Sequence, residues 1–206
     1  MVTMKEIFLF DIGGVVVKYN HFRTCNKLAQ RCPHSAQEIY NLIYPSHEMQ
    51  LFETGKLTPK SFFRTISRKL QLDMSFSDFK MAWENIYTLN KPIGALILTL
   101  SRTHRVFMLS NNDKLHYKFT YKKYHHILSA AEKVFLSCNL GMLKPDPNIF
   151  RKVLSIMKAR PETVVYIDDK KENTDAASRL GITSFRYTSI TKLRNDFKKH
   201  GIALPR

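Results

Sequence analysis

A chain of 206 residues, 44% apolar and 12% aromatic, has enough apolar side chains for one sizeable core and a small accessory domain, which sets aside a disordered chain. No apolar run nears the roughly 20 residues of a membrane span, and Asp11 interrupts the stretch after Lys5 with no small-residue cleavage pattern beyond it, so a soluble, cytoplasmic protein with no membrane partner is expected. The net charge of +16 concentrates anions around the chain without choosing between phosphate, nucleic acid and acidic lipid.

The first element is the run Ile7 to Phe10. It is too short for a helix and unbroken in its hydrophobicity, the pattern of a strand buried on both faces of a parallel sheet. Asp11 ends it, and Gly13-Gly14 supply a backbone able to turn sharply. From about Phe22 to Tyr87 the spacing is helical and no strand is read. Phe22, Cys25, Leu28 and Ala29 share one face, and Ser35 with Glu38 forms a capping box before Ile39, Leu42 and Ile43. Thr58-Pro59 opens a helix with the stripe Phe62, Phe63, Ile66 and Leu70. Ser75 and Asp78 open another, with Phe79, Trp83, Ile86 and Tyr87 inward. Cys25, Cys32 and Cys138 have no pairing framework and are expected to be reduced thiols; together with His21 and His34 they match no common zinc spacing.

Strand and helix then alternate. A helix over Pro92 to Leu100 precedes a strand over Arg105 to Leu109, which ends in Ser110-Asn111-Asn112, and Asp113 caps a helix over 113–124. A strand over 133–137 leads through Gly141, Lys144 and Pro145 into a helix over 147–158. The strand 163–167 ends in Asp168-Asp169; helix 171–180, strand 182–187 and helix 190–199 follow. Repeated βα units predict an α/β fold with a doubly wound, Rossmann-like parallel sheet and helices on both faces. Residues 1–17 and 88–206 would form that core, and 18–87 a small helical cap inserted after the first strand.

A parallel sheet brings its strand ends to one edge, so Asp11, Ser110, Asn111, Lys144, Asp168 and Asp169 should meet there. Asn173 lies four residues after Asp169 and is read as facing the same point. In order and in spacing this set resembles the haloacid dehalogenase-like hydrolases across essentially the whole chain. The stretches Phe10-Asp11-Ile12-Gly13-Gly14-Val15, Glu53-Thr54-Gly55-Lys56-Leu57, Leu109-Ser110-Asn111, Leu140 to Pro145 and Asp168-Asp169 look most like the small helical-cap phosphatases of the glucose-1-phosphate phosphatase-like branch.

The resemblance implies that Asp11 attacks phosphorus and forms an aspartyl-phosphate. It also implies Mg²⁺ held by Asp11, the Gly13 carbonyl oxygen and Asp169, with the phosphoryl oxygens on Ser110, Asn111 and Lys144. Asp168 and Asn173 would stand behind the ligands and orient them; Asp168 reads equally as a helix cap. Most phosphatases of the superfamily carry a second Asp two residues after the nucleophile as general acid and base. Gly13 stands there instead, so the departing oxygen would leave largely unprotonated or borrow a proton from water or the cap. Residues such as His47, Glu48 and Glu53 are candidates to face the crevice.

The implied function is a Mg²⁺-dependent phosphatase of a small phosphorylated metabolite such as a sugar phosphate, a monomer or weak dimer. The alternative is a weak or inactive binding module that holds an anionic partner on its basic surface; a 2-haloacid dehalogenase, which needs no acidic metal site, ranks behind both. Lys114, Lys118 and Lys122 recur every four residues beside Tyr117, Tyr121 and Tyr124. Such interleaving suits nucleic acid, but a solvated ridge beside a packed stripe is the preferred reading.

Overall fold

The computed structural model describes residues 7–204. Lys5, weighed above as part of a leader, lies outside the described residues. The chain runs β1 (Ile7–Phe10), β2 (Val17–Tyr19), then the helices α1 (Phe22–Leu28), α2 (Ala36–Ile43), α3 (His47–Glu53), α4 (Pro59–Leu70) and α5 (Phe76–Glu84). There follow β3 (Tyr87–Leu89), α6 (Lys91–Leu100), β4 (Arg105–Ser110), α7 (Lys114–Leu128), β5 (Lys133–Leu136) and the single turn α8 (Ser137–Leu140). The last elements are α9 (Pro147–Met157), β6 (Val164–Asp168), α10 (Lys171–Ser178), β7 (Thr183–Arg186) and α11 (Ile190–Lys199).

The main sheet has the order β5-β4-β1-β6-β7, with every pair parallel. The chain steps outward from β1 to β4 and β5, then returns to β6 on the other side of β1. β1 is therefore the switch point, and the crevice beyond its carboxyl end lies between two diverging crossovers. The unbroken hydrophobicity of β1 follows from this central place. Phe8 and Phe10 pack on one face with Val106, Met108 and Ile97, while Ile7 and Leu9 pack on the other with Leu109, Phe150 and Tyr166. Burying both faces removes roughly 1.5–3 kcal/mol of apolar exposure per large side chain, and no polar residue could be placed inside the strand without a partner.

Helices α1 to α5 enclose a separate core in which Phe52, Phe62, Phe79 and Trp83 are fully buried and their rings touch. The sequence signals for their starts are realised as hydrogen bonds. Ser35 and Glu38 make both halves of the capping box, and Thr58 and Ser75 accept from Ser61 N–H and Asp78 N–H. Two elements were not legible. Val17–Tyr19 and Tyr87–Leu89 pair as an antiparallel ribbon, so strands straddle both expected cap boundaries. Ser137, expected to end a strand, instead starts α8. Among the described residues no helix is long and apolar enough to cross a membrane.

Candidate active site

At the end of β1 the Asp11 carboxylate is buried and held at one oxygen only. Oδ1 accepts from the Ile12 N–H at 2.7 Å and from the Lys144 ammonium at 2.8 Å, while Oδ2 accepts no hydrogen bond. Lys144 donates further to Asp168 Oδ2 at 2.6 Å and to the Leu109 carbonyl at 3.1 Å. The ammonium is thereby held among three protein oxygens. Burial raises the Asp11 carboxyl to about 7 against the pull of Lys144, and Asp168 and Asp169 push the same way. Asp168 is equally buried, yet Lys144, the Tyr166 hydroxyl and the Lys170 N–H together hold its carboxyl below the usual range.

Asn173 lines the same pocket as Asp11 and donates to both oxygens of Asp168 at 3.0 Å; its hydrogen bonds go to Asp168 and not to Asp169. The four-residue spacing presumes a helix from Asp169 onward. Asp168 is still in β6 and α10 begins only at Lys171, so that periodicity does not apply. Asp168 also accepts from the Lys170 N–H at 2.8 Å, so it braces the loop before α10 as well as facing Lys144. Asp169 is different: its Oδ1 is buried with no partner, and burial, then Asp168, raise its carboxyl. One oxygen each from Asp11, Asp168 and Asp169 lie within 4.8 Å of one another. Gly14, at φ +80°, makes room for this cluster, because a Cβ there would stand 2.1 Å from Asp169 Oδ2. Among the described residues no backbone N–H reaches the Gly13 carbonyl; the Gly14 N–H goes to the Val17 carbonyl and the Val17 N–H to the Ile12 carbonyl.

The expected phosphate group is less uniform than its sequence suggested. Ser110 is buried, and among the described residues its hydroxyl makes no hydrogen bond. Asn111 spends its amide on the backbone of Lys144, donating to the carbonyl at 2.9 Å and accepting from the N–H at 2.8 Å. It thereby fastens the Lys144 loop to the end of β4. Asp11, Gly13, Ser110, Asn111, Lys144 and Asn173 line one pocket, with Asp168 and Asp169 behind it, and its other wall is the cap and the ribbon: Tyr19, His21, Met49, Glu53 and Tyr87. Tyr19, His21, Met49, Tyr87, Asn112, His116 and Lys170 line the site without a sequence signal that marks them for it. Glu53 was named as a cap candidate and lines it; His47 and Glu48 do not.

Residues 5–181 match the family of haloacid dehalogenase-like hydrolases. The chain belongs to that family. A D-ribitol-5-phosphate phosphatase of Bacteroides thetaiotaomicron is 23% identical over 190 residues, 89% of this chain and 92% of that protein. A sesquiterpene phosphatase of Aspergillus oryzae is also 23% identical, over 91% of this chain and 92% of its own length. The crystal structure of a B. thetaiotaomicron enzyme of the family, in complex with magnesium and inorganic phosphate, superposes with a TM-score of 0.82. It shares 24% identity and covers 92% of this chain and 99% of its own. The haloacid dehalogenase-like fold explains why functional residues from four strands meet at one edge. The residues also fit magnesium, a hard cation that takes oxygen ligands: three carboxylates converge, and the buried Asp169 oxygen has no other partner.

Proposed function

We propose that this chain is a magnesium-dependent phosphatase that hydrolyses a small phosphorylated metabolite, such as a sugar or polyol phosphate, through an aspartyl-phosphate on Asp11. The observation that carries the reading is the state of Asp11: a buried carboxylate at the switch point, pinned through Oδ1 and free at Oδ2. Oδ2 is the attacking oxygen. Lys144 holds the carboxylate at a fixed angle and, through Asp168, is itself held. Asp11, the Gly13 carbonyl and Asp169 hold Mg²⁺, which when bound offsets the repulsion between the carboxylate and the phosphoryl group. Ser110 receives a phosphoryl oxygen with its unused hydroxyl. Lys144 adds positive charge and gives up one of its present acceptors if it bonds the phosphate directly, and Asn111 acts mainly by positioning the Lys144 loop.

The acidic cluster favours phosphate chemistry over dehalogenation, since three adjacent carboxylates call for a cation. The D-ribitol-5-phosphate phosphatase among the relatives supports a polyol phosphate, and Glu53, Asn112 and Lys170 on the pocket wall offer polar partners for hydroxyl groups. The test is a screen of phosphorylated metabolites with purified protein, with Mg²⁺ and with chelator. Phosphate release that requires the metal and vanishes in Asp11→Asn is expected. Release that persists in a folded Asp11→Asn variant defeats the nucleophile, and no release from any ester favours the binding module.

A further inference from the structure

Gly13 leaves the proposed reaction without an acid where most phosphatases of the family have one. A Cβ built at Gly13 would lie 3.5 Å from Cδ1 and Cε1 of Tyr19, so the ring of Tyr19 stands against the space that such a side chain would enter. Tyr19 is no substitute: burial, then Asp169, push its hydroxyl up to about 12. His21 sits within 4.9 Å and 3.9 Å of the rings of Tyr19 and Tyr44, and burial lowers it to about 4, which leaves it without a proton to lend at neutral pH. His116 has both nitrogens engaged, Nδ1 with Asp113 Oδ2 at 2.6 Å and Nε2 with the Trp83 carbonyl at 2.8 Å. Burial places the Tyr87 hydroxyl well above its ordinary range. Lys170 is an exposed cation suited to holding charge at the lip.

Among the described residues, one carboxylate on the pocket wall lies outside the metal cluster. Glu53 ends α3, and among the described residues its carboxyl makes no hydrogen bond and no ion pair. Its backbone is nevertheless tied to the core. Ser137 Oγ donates to the Glu53 carbonyl at 2.6 Å and accepts from the Asn112 N–H at 2.9 Å. Two residues on, Gly55 at φ +73° lies so close to α8 that a Cβ would be 2.1 Å from the Cys138 carbonyl. The cap thus presents Glu53 in a position registered against the loop after β4. Burial raises its carboxyl to about 7 and Asp113 adds to this, with Lys170 and His116 opposing; His21 faces the same pocket from α1's amino end. A carboxyl that titrates near neutrality can both give and take a proton at working pH.

We propose that Glu53 is the catalytic acid and base of this site, protonating the oxygen that leaves phosphorus and later receiving a proton from the attacking water. The inference rests on the phosphatase reading. In the first half, an Asp11 oxygen forms a bond to phosphorus as the phosphorus–oxygen bond to the alcohol breaks, and the Glu53 proton passes to that alcohol. In the second half, water attacks phosphorus, its proton goes to the Glu53 carboxylate, and Asp11 is released. The sum is ester plus water giving alcohol plus phosphate, with both residues restored.

The test compares wild type with Glu53→Gln, in Mg²⁺, across esters of graded leaving-group basicity from p-nitrophenyl phosphate to glycerol phosphate. The expected result is a loss of roughly 10²–10⁴ in kcat/KM for the alkyl ester, with less than about a tenfold loss for the aryl ester, whose departing oxygen needs no proton. A pre-steady-state burst of nitrophenol should also appear in the variant, because water's attack loses its base. Glu53→Ala should behave alike, and both variants are checked for the wild-type fold by far-UV circular dichroism. Equal losses on both esters, or none on either, overturn the role of Glu53 while leaving the phosphatase reading intact. A wild type inert toward every ester overturns that reading and this role with it.

Discussion

Lys144 is the residue on which the proposed chemistry and the stability of the site both turn. Its ammonium lies between two buried carboxylates, and its removal strands both of them. Breaking a buried pair in this way typically costs about 3–5 kcal/mol. Lys144→Met should therefore lower the urea midpoint without changing the slope, and Mg²⁺ should recover part of the loss by supplying positive charge to the same carboxylates. A midpoint equal to wild type would mean that Asp11 or Asp168 carries a proton. Glu53 yields a prediction of opposite sign. In the folded chain burial holds its proton to about 7, whereas its ordinary value is 4.5. Between those values the folded state binds the extra proton, so Glu53's contribution to stability falls as pH rises through the window. Glu53→Gln removes that dependence: its melting temperature should approach wild type near pH 5 and exceed it at pH 8. A gap that does not change with pH would show that Glu53 is not held protonated. At this scale the sequence was informative wherever a residue ends a strand, as with Asp11, Ser110 and Asp168. It does not show which of the two adjacent carboxylates Asn173 bonds, because the helix begins only at Lys171, nor that Lys144 and Asn111 bond protein atoms.

Elements were legible when local chemistry fixed them. The oxygens at Ser35, Thr58, Ser75 and Asp113 each satisfy helix N–H groups that would otherwise be orphaned, and each was visible as a residue type ahead of an apolar stripe. The β2–β3 ribbon was invisible because each strand has three residues, too few for an alternation, and its pairing joins positions 70 residues apart. Helix α7 resolves the basic stripe into two faces. Tyr117 and Tyr124 pack against the core, while Lys114, Lys118 and Lys122 stay exposed and do not line the pocket. Changing those three lysines together to Gln should leave kcat and KM for a small ester within about twofold, as exposed substitutions remote from a site usually do. A large loss of turnover, or salt-dependent DNA or RNA binding that the variant lacks, would give the ridge a role in binding anions.

For the whole molecule the excess of positive charge has one measurable effect on the proposed reaction. A field of one sign steers a dianionic ester toward the crevice, and salt shortens its reach from about 30 Å at 0.01 M to about 3 Å at 1 M. The kcat/KM for such an ester should fall as salt rises, mostly through KM, and a value independent of salt would show that the field does not reach the site. How cap and core are joined is not legible in the sequence, since each partner of the seam is ordinary in its own segment. Trp83 Nε1 donates to Asp113 at 3.2 Å, Leu115 enters the cap's core, and Ser137 holds the Glu53 carbonyl. That last hydrogen bond bears on how such molecules are recombined. Glu53 is held from both sides of the seam, its carbonyl by a hydroxyl of the core and its helix by Met49 and Phe52 packed among α1 and α2, so a graft has to carry both sets of contacts. A chimera cut between Glu53 and Gly55 would separate the residue from its sighting point; a graft ending before α3 would part its helix from its own α1 and α2.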